Sequence, residues 1–203
     1  RSSWVTGVQT CALPICGASR PLKHAVTART KARRRAIEIL FEADQRGLLD
    51  AGRRSGNDSD EAQGGGDPAG AGPAGERLRL FAAERAVNSA NHTPAPAYTR
   101  QILAGVADHL DAIDEAIETY AQDWTLGRMP AVDRAIARMT TWEIVYNNEV
   151  DAPVALDEAM TLARMLSTDD SPRYLGGLLG RIGDLADTSW RSEERRVGKE
   201  CRS

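Results

Sequence analysis

The chain has 203 residues, of which 41% are hydrophobic and 5% aromatic, and its formal net charge is -3. No apolar run is long enough to cross a bilayer, so the sequence indicates a soluble globular chain without a transmembrane helix. The low aromatic content favours a helical core of Ala, Leu and Ile over a sheet.

The net charge hides an asymmetry along the chain. Residues 20–35 contain seven Lys or Arg and no acid, whereas residues 36–190 contain 13 Lys or Arg and 26 Asp or Glu, a net of -13. An acidic body with one basic segment is not typical of a protein that coats nucleic acid generally. It predicts a local nucleic-acid contact and a separate surface that suits a basic partner.

The two ends resemble translated sequencing adapters rather than protein. Residues 12–15 can be encoded GCT CTT CCG ATC, followed by the T that opens the codon of Cys16. The reverse complement of these 13 bases, AGATCGGAAGAGC, reads as residues 191–194 and begins the codon of Arg195. The ends are therefore inverted copies of one another. We assign residues 1–16 and 191–203 to adapter-like artefact and expect them to be disordered.

This assignment also removes the cysteines, because all of them lie in or beside the adapter-like segments: Cys11, Cys16 and Cys201. No disulfide framework or zinc site remains, and the histidines have no metal-ligand spacing. We find no nucleophile–base pair and no phosphate-binding loop. We therefore expect no catalytic residue, metal or cofactor, and a cysteine-free body fits a cytoplasmic location.

The first helix is predicted from the spacing of Ile37, Leu40 and Phe41, which fall at i, i+3 and i+4. Thr27 or Thr30 could cap it, and Gly47 would end it. Residues 50–75 are rich in Gly, Ser, Asp and Pro, a composition that buries too little apolar surface to offset the entropy of ordering. We expect a disordered insertion there, followed by a short amphipathic helix from Glu76 and a loop over residues 88–97.

The second half of the body reads as a series of longer helices. The longest is predicted to start at Tyr98, with apolar residues at steps of three and four as far as Trp124. Three more helices follow over residues 130–146, 153–166 and from Ser171, which is a good N-cap before Pro172. No segment alternates with the period of a strand. The fold class is therefore all-α, with about six or seven helices.

Cations at the start of the first helix are unfavourable there, because the helix dipole is positive at that end. They are Arg29, Lys31, Arg33, Arg34 and Arg35. Their presence without a neighbouring acid favours an anionic partner, and a nucleic-acid backbone is the simplest one. The alternative is a solvated polar helix end. A helix turns about 100° per residue, so these side chains cannot all point one way.

A second candidate is the segment 169–174, with the sequence Asp-Asp-Ser-Pro-Arg-Tyr. Acids just before a helix complement its dipole, so capping alone would explain Asp170. The functional alternative uses free backbone N–H groups, Arg173 and the ring of Tyr174 to hold a nucleotide. The two interpretations can both hold.

Together, three blocks resemble the NusB family of bacterial transcription antitermination proteins. They span residues 32–41, 124–136 and 166–174, and the resemblance covers about 28–46 and 98–187. It implies a fold of two small three-helix bundles packed together. The body, residues 17–187, is then one NusB-like RNA-binding helical domain that contains the insertion.

The resemblance further implies a non-enzymatic role in transcription. Such proteins bind the boxA element of ribosomal RNA transcripts together with a small-subunit ribosomal protein, NusE, and help the elongation complex read through terminators. By match of motif, the expected RNA-binding residues are Arg29, Lys31, Arg33, Arg34, Phe41, Asp170, Arg173 and Tyr174. Those expected on the partner-binding region are Asp133, Arg134 and Glu143, since an acidic patch suits a basic ribosomal protein.

The chain departs from the family pattern in two places. It has Tyr174-Leu-Gly-Gly177 where the family often has Phe-Val-Asn-Gly, and its insertion at 50–75 is longer than the usual connection. A rival interpretation is the NusB-like N-terminal domain of a truncated ribosomal RNA cytosine methyltransferase. The turn at 167–172 resembles the free-standing proteins better. A third alternative is a helical adaptor with no role in RNA binding.

Overall fold

The computed structural model describes residues 27–49, 73–87, 94–121 and 125–200, and from 187 onward, as at position 185, it describes the backbone alone. The N-terminal adapter-like segment, positions 50–72 of the predicted insertion and Trp124 lie outside these residues. Within them the chain forms seven α-helices and a short 3-10 turn and no strand, which confirms the predicted all-α class. In chain order they are α1 (Ala28–Gln45), α2 (Ala74–Val87), α3 (Ala97–Asp108), α4 (Leu110–Tyr120), the 3-10 turn (Leu126–Arg128), α5 (Ala131–Val145), α6 (Ala152–Leu166) and α7 (Ser171–Glu200).

Helix α5 lies at the centre, in contact with α1, α3, α4, α6 and α7. Its side chains are buried nearly all round, including charged and polar ones such as Arg138, Thr140 and Glu143. Helices α1 and α3 pack on one part of it and also on α2, while α4, α6 and α7 pack on another part. This matches the expected pair of helical bundles, and one continuous core of Ala, Leu and Ile joins them.

The long helix predicted from Tyr98 is interrupted at His109, so that prediction was wrong in one respect. His109 has φ -122° and ψ 18°, ends α3 and precedes α4. Its ring stacks on Tyr146 at the end of α5, with the ring centres 3.9 Å apart. The packing partners change at the break: α3 packs on α1, α2 and α5, whereas α4 packs on α5 and α7.

Helix α2 starts at Ala74, two residues inside the segment predicted to be disordered. Gly75 was counted there as part of a glycine-rich linker. It instead lies where two helices approach closely, because a Cβ at this position would be 2.2 Å from the carbonyl oxygen of Ala107. Composition alone does not separate a linker glycine from a packing glycine.

The backbone of α7 is helical as far as Glu200, although residues 191–203 were expected to be disordered. The physical reason is local, since Arg, Glu and Lys are all favourable in helices. The assignment of these residues to an adapter rests on the nucleotide match and stays a prediction.

Candidate nucleic-acid interface

The N-terminus of α1 is built by a threonine cap. The backbone N–H of Thr30 donates to Oγ1 of Thr27 at 3.1 Å, so the cap is Thr27 and not Thr30. The first turn of α1 holds no acid. No acidic side chain therefore offsets the partial positive charge that the helix dipole places at this end, and the basic side chains add to it.

Three of the cations in the first two turns of α1 are open to solvent. The side chain of Arg29 is 54% exposed and that of Arg34 is 51% exposed, and Lys31 is exposed as well. Arg34 and Arg35 both pair with Glu38, each at 3.2 Å. Lys31 forms no ion pair with any other described residue. These exposed groups can reach a phosphate without opening the fold.

Arg33 does not belong to that set, and its prediction as a phosphate contact is corrected. Its side chain is 2% exposed, and its Nε donates to both carboxylate oxygens of Glu143, at 2.8 and 3.0 Å. A second carboxylate, Glu158, lies 3.5 Å from Nη1. Four residues on from Arg29, Arg33 faces the core and anchors α1 to α5 and α6.

Glu143 is equally buried, at 0% exposure, so its expected place on a partner-binding surface is wrong too. It accepts hydrogen bonds from Arg33 and from the phenol of Tyr98. Burial raises the pKa of the Glu143 carboxyl, and the Arg33 guanidinium opposes that rise. Burial and the bond to Glu143 also raise the pKa of Tyr98, so its phenol stays protonated and can donate.

Phe41 lies further along α1, with its ring 37% exposed. Near that end of the helix, the side chain of Asp44 is 5% exposed, and its carboxylate accepts from Arg134 at 2.5 Å and from Arg138 at 2.9 Å. Arg134 also donates to the carbonyl oxygens of Leu126, Gly127 and Met129. Arg134, predicted on the partner surface, therefore ties α1 and the 3-10 turn to α5.

Arg138 completes this second network. It binds Asp114 of α4 through Nε and Nη2, at 2.7 and 2.8 Å. Burial alone would lower the pKa of Arg138, but its bonds to Asp114 and Asp44 outweigh burial and raise it. The guanidinium thus stays charged and joins α1, α4 and α5.

The other predicted RNA contact spans the residue before α7 and the first turn of that helix. Asp170 and Arg173 are exposed and Tyr174 is half-buried, and burial raises the pKa of its phenol. Ser171 does not cap α7 as predicted. Its hydroxyl donates to Asp133 of α5 at 2.8 Å, and both residues are buried.

Asp133 is therefore a support for this turn and not a surface residue, which corrects the third predicted partner contact. Its carboxylate holds Ser171, whose Oγ also lies 2.8 Å from the hydroxyl of Thr168 and 3.0 Å from that of Ser167. The exposed groups at 170 and 173 are in this way fixed to the N-terminal turn of α5.

Helix α5 sets the spacing of the two candidate contacts. The basic start of α1 is attached at Glu143 and the turn of α7 at Asp133, ten residues apart, or about 15 Å along the helix axis. The end of α1 that follows Phe41 lies along the start of α5, since Asp44 of α1 binds Arg134. Helix α1 therefore runs past α5 with its basic start near Glu143 and its other end near Arg134.

Comparison with known proteins gives the same family on two grounds. The model of the NusB family matches residues 73–184. The transcription antitermination protein NusB of Beutenbergia cavernae is 45% identical over 173 residues, which cover 85% of this chain and 99% of that protein. That of Arthrobacter sp. is 43% identical over 79% of this chain and 96% of its own length.

The chain belongs to the NusB family. Among solved structures, the NusB of T. maritima has a TM-score of 0.55 at 23% identity and covers 78% of this chain and 92% of its own. A chain from the crystal structure of antitermination factors NusB and NusE in complex with dsRNA has a TM-score of 0.50 at 17% identity, with 77% and 96% covered. At these identities the likeness shows that the NusB fold is shared.

Two parts of this NusB-family site were missed from the sequence. Tyr98 was treated only as the first residue of a helix, and Asp44 was not singled out. A usable signal was present in α5, where Arg138 and Glu143 stand among residues that the neighbouring helices cover on every side. Charged residues in such a helix need buried partners of opposite sign.

None of the helices in the described ranges is long and apolar enough to cross a membrane.

Proposed function

We propose that this chain is an RNA-binding transcription antitermination factor. It binds boxA-type RNA together with a small-subunit ribosomal protein acting as NusE, and it promotes processive transcription of ribosomal RNA operons. The observation that carries the proposal is the exposed, acid-free first turn of α1 at the positive end of its dipole. The names of the relatives support the role in antitermination.

The RNA-binding residues in this proposal form two groups. Arg29, Lys31 and Arg34 would bind phosphates at the start of α1, and Phe41 would contact the RNA from further along that helix. Asp170, Arg173 and Tyr174 would bind it at the start of α7, whose attachment point on α5 is about 15 Å along the helix axis from that of α1. There, Asp170 can accept from a base edge, Arg173 can bind a phosphate, and Tyr174 offers a ring for stacking. Such spacing suits an extended strand better than a single bound nucleotide. Arg33 acts from the core by holding α1 in place.

The protein partner would meet the acidic body. Residues 36–190 carry a net charge of -13, which favours a basic partner such as a ribosomal protein and speeds their encounter. Because Asp133, Arg134 and Glu143 are engaged inside the fold, the contact would use exposed acids instead. In this proposal the chain acts within the transcription elongation complex in the cytoplasm. Its role there is non-enzymatic.

The alternative, a domain of a truncated ribosomal RNA cytosine methyltransferase, is not favoured. The relatives are named as antitermination proteins, and the match spans 96% and 99% of the length of the two described above. A methyltransferase headed by this domain would be matched over only part of its length.

The test is a titration of a boxA-type RNA oligonucleotide at several salt concentrations. Lys31→Ala with Arg34→Ala should weaken binding and reduce the slope of log K against log salt by about 1.4, because two phosphate contacts on a single strand are lost. The control is Arg79→Ala with Arg100→Ala, which removes the same charge from exposed positions on α2 and α3. Equal effects of the two pairs, or no binding by the unaltered chain, would count against the proposal.

A further inference from the structure

Tyr98, the second residue of α3, lies where the basic start of α1 meets the buried charges of α5. Its hydroxyl donates to Glu143 and accepts from the side-chain nitrogen of Asn147, which follows the end of α5, at 3.4 Å. Its ring faces two guanidinium groups, with the central carbon of Arg29 at 5.2 Å and that of Arg33 at 5.5 Å from the ring centre. One side chain therefore touches both the exposed and the buried arginine of this turn.

The ring is held firmly. Glu143, which receives the hydroxyl, is itself fixed by two bonds from Nε of Arg33. The neighbouring Thr99 donates to the carbonyl oxygen of Ala32 at 2.8 Å, which attaches the start of α3 directly to α1. The position of the Tyr98 ring relative to α1 is thus set by bonds from two helices.

Arg29 has few other restraints. Its only ion pair among the described residues is with Glu149, at 3.9 Å, and both side chains are more than half exposed. Such a pair holds a long side chain weakly. The ring of Tyr98 is the rigid neighbour of this guanidinium, and it leaves the guanidinium N–H groups available to an anion.

We propose that Tyr98 is a positioning residue for RNA binding, whose ring holds Arg29 in the orientation that meets an RNA phosphate. This inference rests on the proposed function and names the device that prepares one of its phosphate contacts. A guanidinium held before the RNA arrives loses less side-chain freedom when it binds. Tyr98 acts through Arg29 and need not touch the RNA.

A double-mutant cycle tests this coupling, with affinity for a boxA-type RNA oligonucleotide as the measurement. Tyr98→Leu removes the ring and should weaken binding about two- to five-fold, the range of an exposed cation–π contact. In the Arg29→Ala background the same substitution should have no further effect. In the Arg34→Ala background it should keep its full effect, because Arg34 does not contact the ring.

The outcomes separate this inference from the function on which it rests. Equal losses from Tyr98→Leu in the unaltered and Arg29→Ala backgrounds would show a general structural role and overturn the inference, while RNA binding that depends on Lys31 and Arg34 would still stand. Absence of salt-dependent RNA binding by the unaltered chain would overturn the proposed function itself. Tyr98→Phe keeps the ring and should bind within about two-fold of the unaltered chain. If Tyr98→Phe instead lowers the affinity for RNA as much as Arg29→Ala does, the role of the ring is overturned.

If Tyr98→Leu does not fold, the unaltered chain still decides the question. The Nε–H resonance of Arg29 in an NMR spectrum should be displaced by the ring current of Tyr98 and should move when RNA is added. A resonance at the position of a freely moving arginine would overturn the inference.

Discussion

Arg33 of α1 and Glu143 of α5 form an ion pair closed off from solvent, with Nε of Arg33 2.8 and 3.0 Å from the two carboxylate oxygens. The pair lies directly beneath the exposed cations of the first turn. Glu143 neutralises the charge of Arg33, and the bond between them fixes the direction of α1 relative to α5. In a buried pair, removal of one partner has a larger effect than the net contribution of the pair, because it leaves an uncompensated charge.

The first prediction concerns this pair. Glu143→Ala should lower the free energy of unfolding by about 3–5 kcal/mol, since Arg33 would remain buried and keep, among the described residues, one ion-pair partner, Glu158 at 3.5 Å. Glu149→Ala is the control, because it removes a carboxylate from an exposed pair with Arg29 and should change stability by about 0–1 kcal/mol. Urea unfolding followed by circular dichroism measures both. Similar effects of the two substitutions would contradict the buried role of Glu143.

The second prediction concerns the exposed pair between Arg29 and Glu149. The carboxylate of Glu149 competes with an RNA phosphate for the same guanidinium, so Glu149→Gln should strengthen RNA binding by about two- to five-fold at low salt. Glu118→Gln changes the net charge equally at an exposed position on α4. Binding titrations should show a clear gain for the first variant only. A gain of the same size in both would indicate a general effect of net charge.

Particular residues show which parts of the fold and of the candidate site can be predicted from the sequence. The apolar spacing of α1 and the end at Gly47, whose φ is +67°, were predictable because both follow from local chemistry. The family resemblance and the exposed Lys31 and Arg34 could also be found in the sequence. Which arginine of the run points inward could not, because that depends on the acid that α5 presents opposite it.

The same limit applies to Asp133 and Arg134. The sequence gives no direct sign that Asp133 is buried or that Arg134 is bonded to residues of the fold. Each is paired across more than thirty positions of sequence, with Ser171 and with Asp44. The role of a charged residue depends on its partners on other helices. The periodicity of the sequence identifies only the residues that share a face of one helix.

The third prediction concerns the support of the 167–171 turn. Oδ1 of Asp133 is buried and makes no hydrogen bond with the described residues, so Ser171→Ala would leave both oxygens of this carboxylate without a partner. We expect a loss of about 1–3 kcal/mol in the free energy of unfolding and weaker RNA binding through the displaced turn.

The control for this variant is Thr119→Ala, because that exposed hydroxyl bonds only the carbonyl oxygen of its own helix. It should change stability by no more than about 0.5 kcal/mol. Adding Asp133→Asn to Ser171→Ala should restore part of the lost stability, because it removes the buried charge. If the double variant recovers no stability and the turn before α7 is unchanged, Asp133 does not act through Ser171.

The fourth prediction contrasts two helical glycines. Gly105 of α3 lies against the indole of Trp142, where a Cβ would be 2.0 Å from Nε1, whereas nothing lies within 4 Å of a Cβ at Gly180 in α7. Gly105→Ala should lower the free energy of unfolding by about 1–3 kcal/mol through overpacking, because α3 would have to move away from α5. Gly180→Ala should raise it by up to about 1 kcal/mol, since alanine favours a helix. Thermal unfolding midpoints should therefore shift in opposite directions. If the indole is the obstacle, Gly105→Ala should have a smaller effect in a Trp142→Leu background, and two shifts of the same sign would contradict this account of α3 packing.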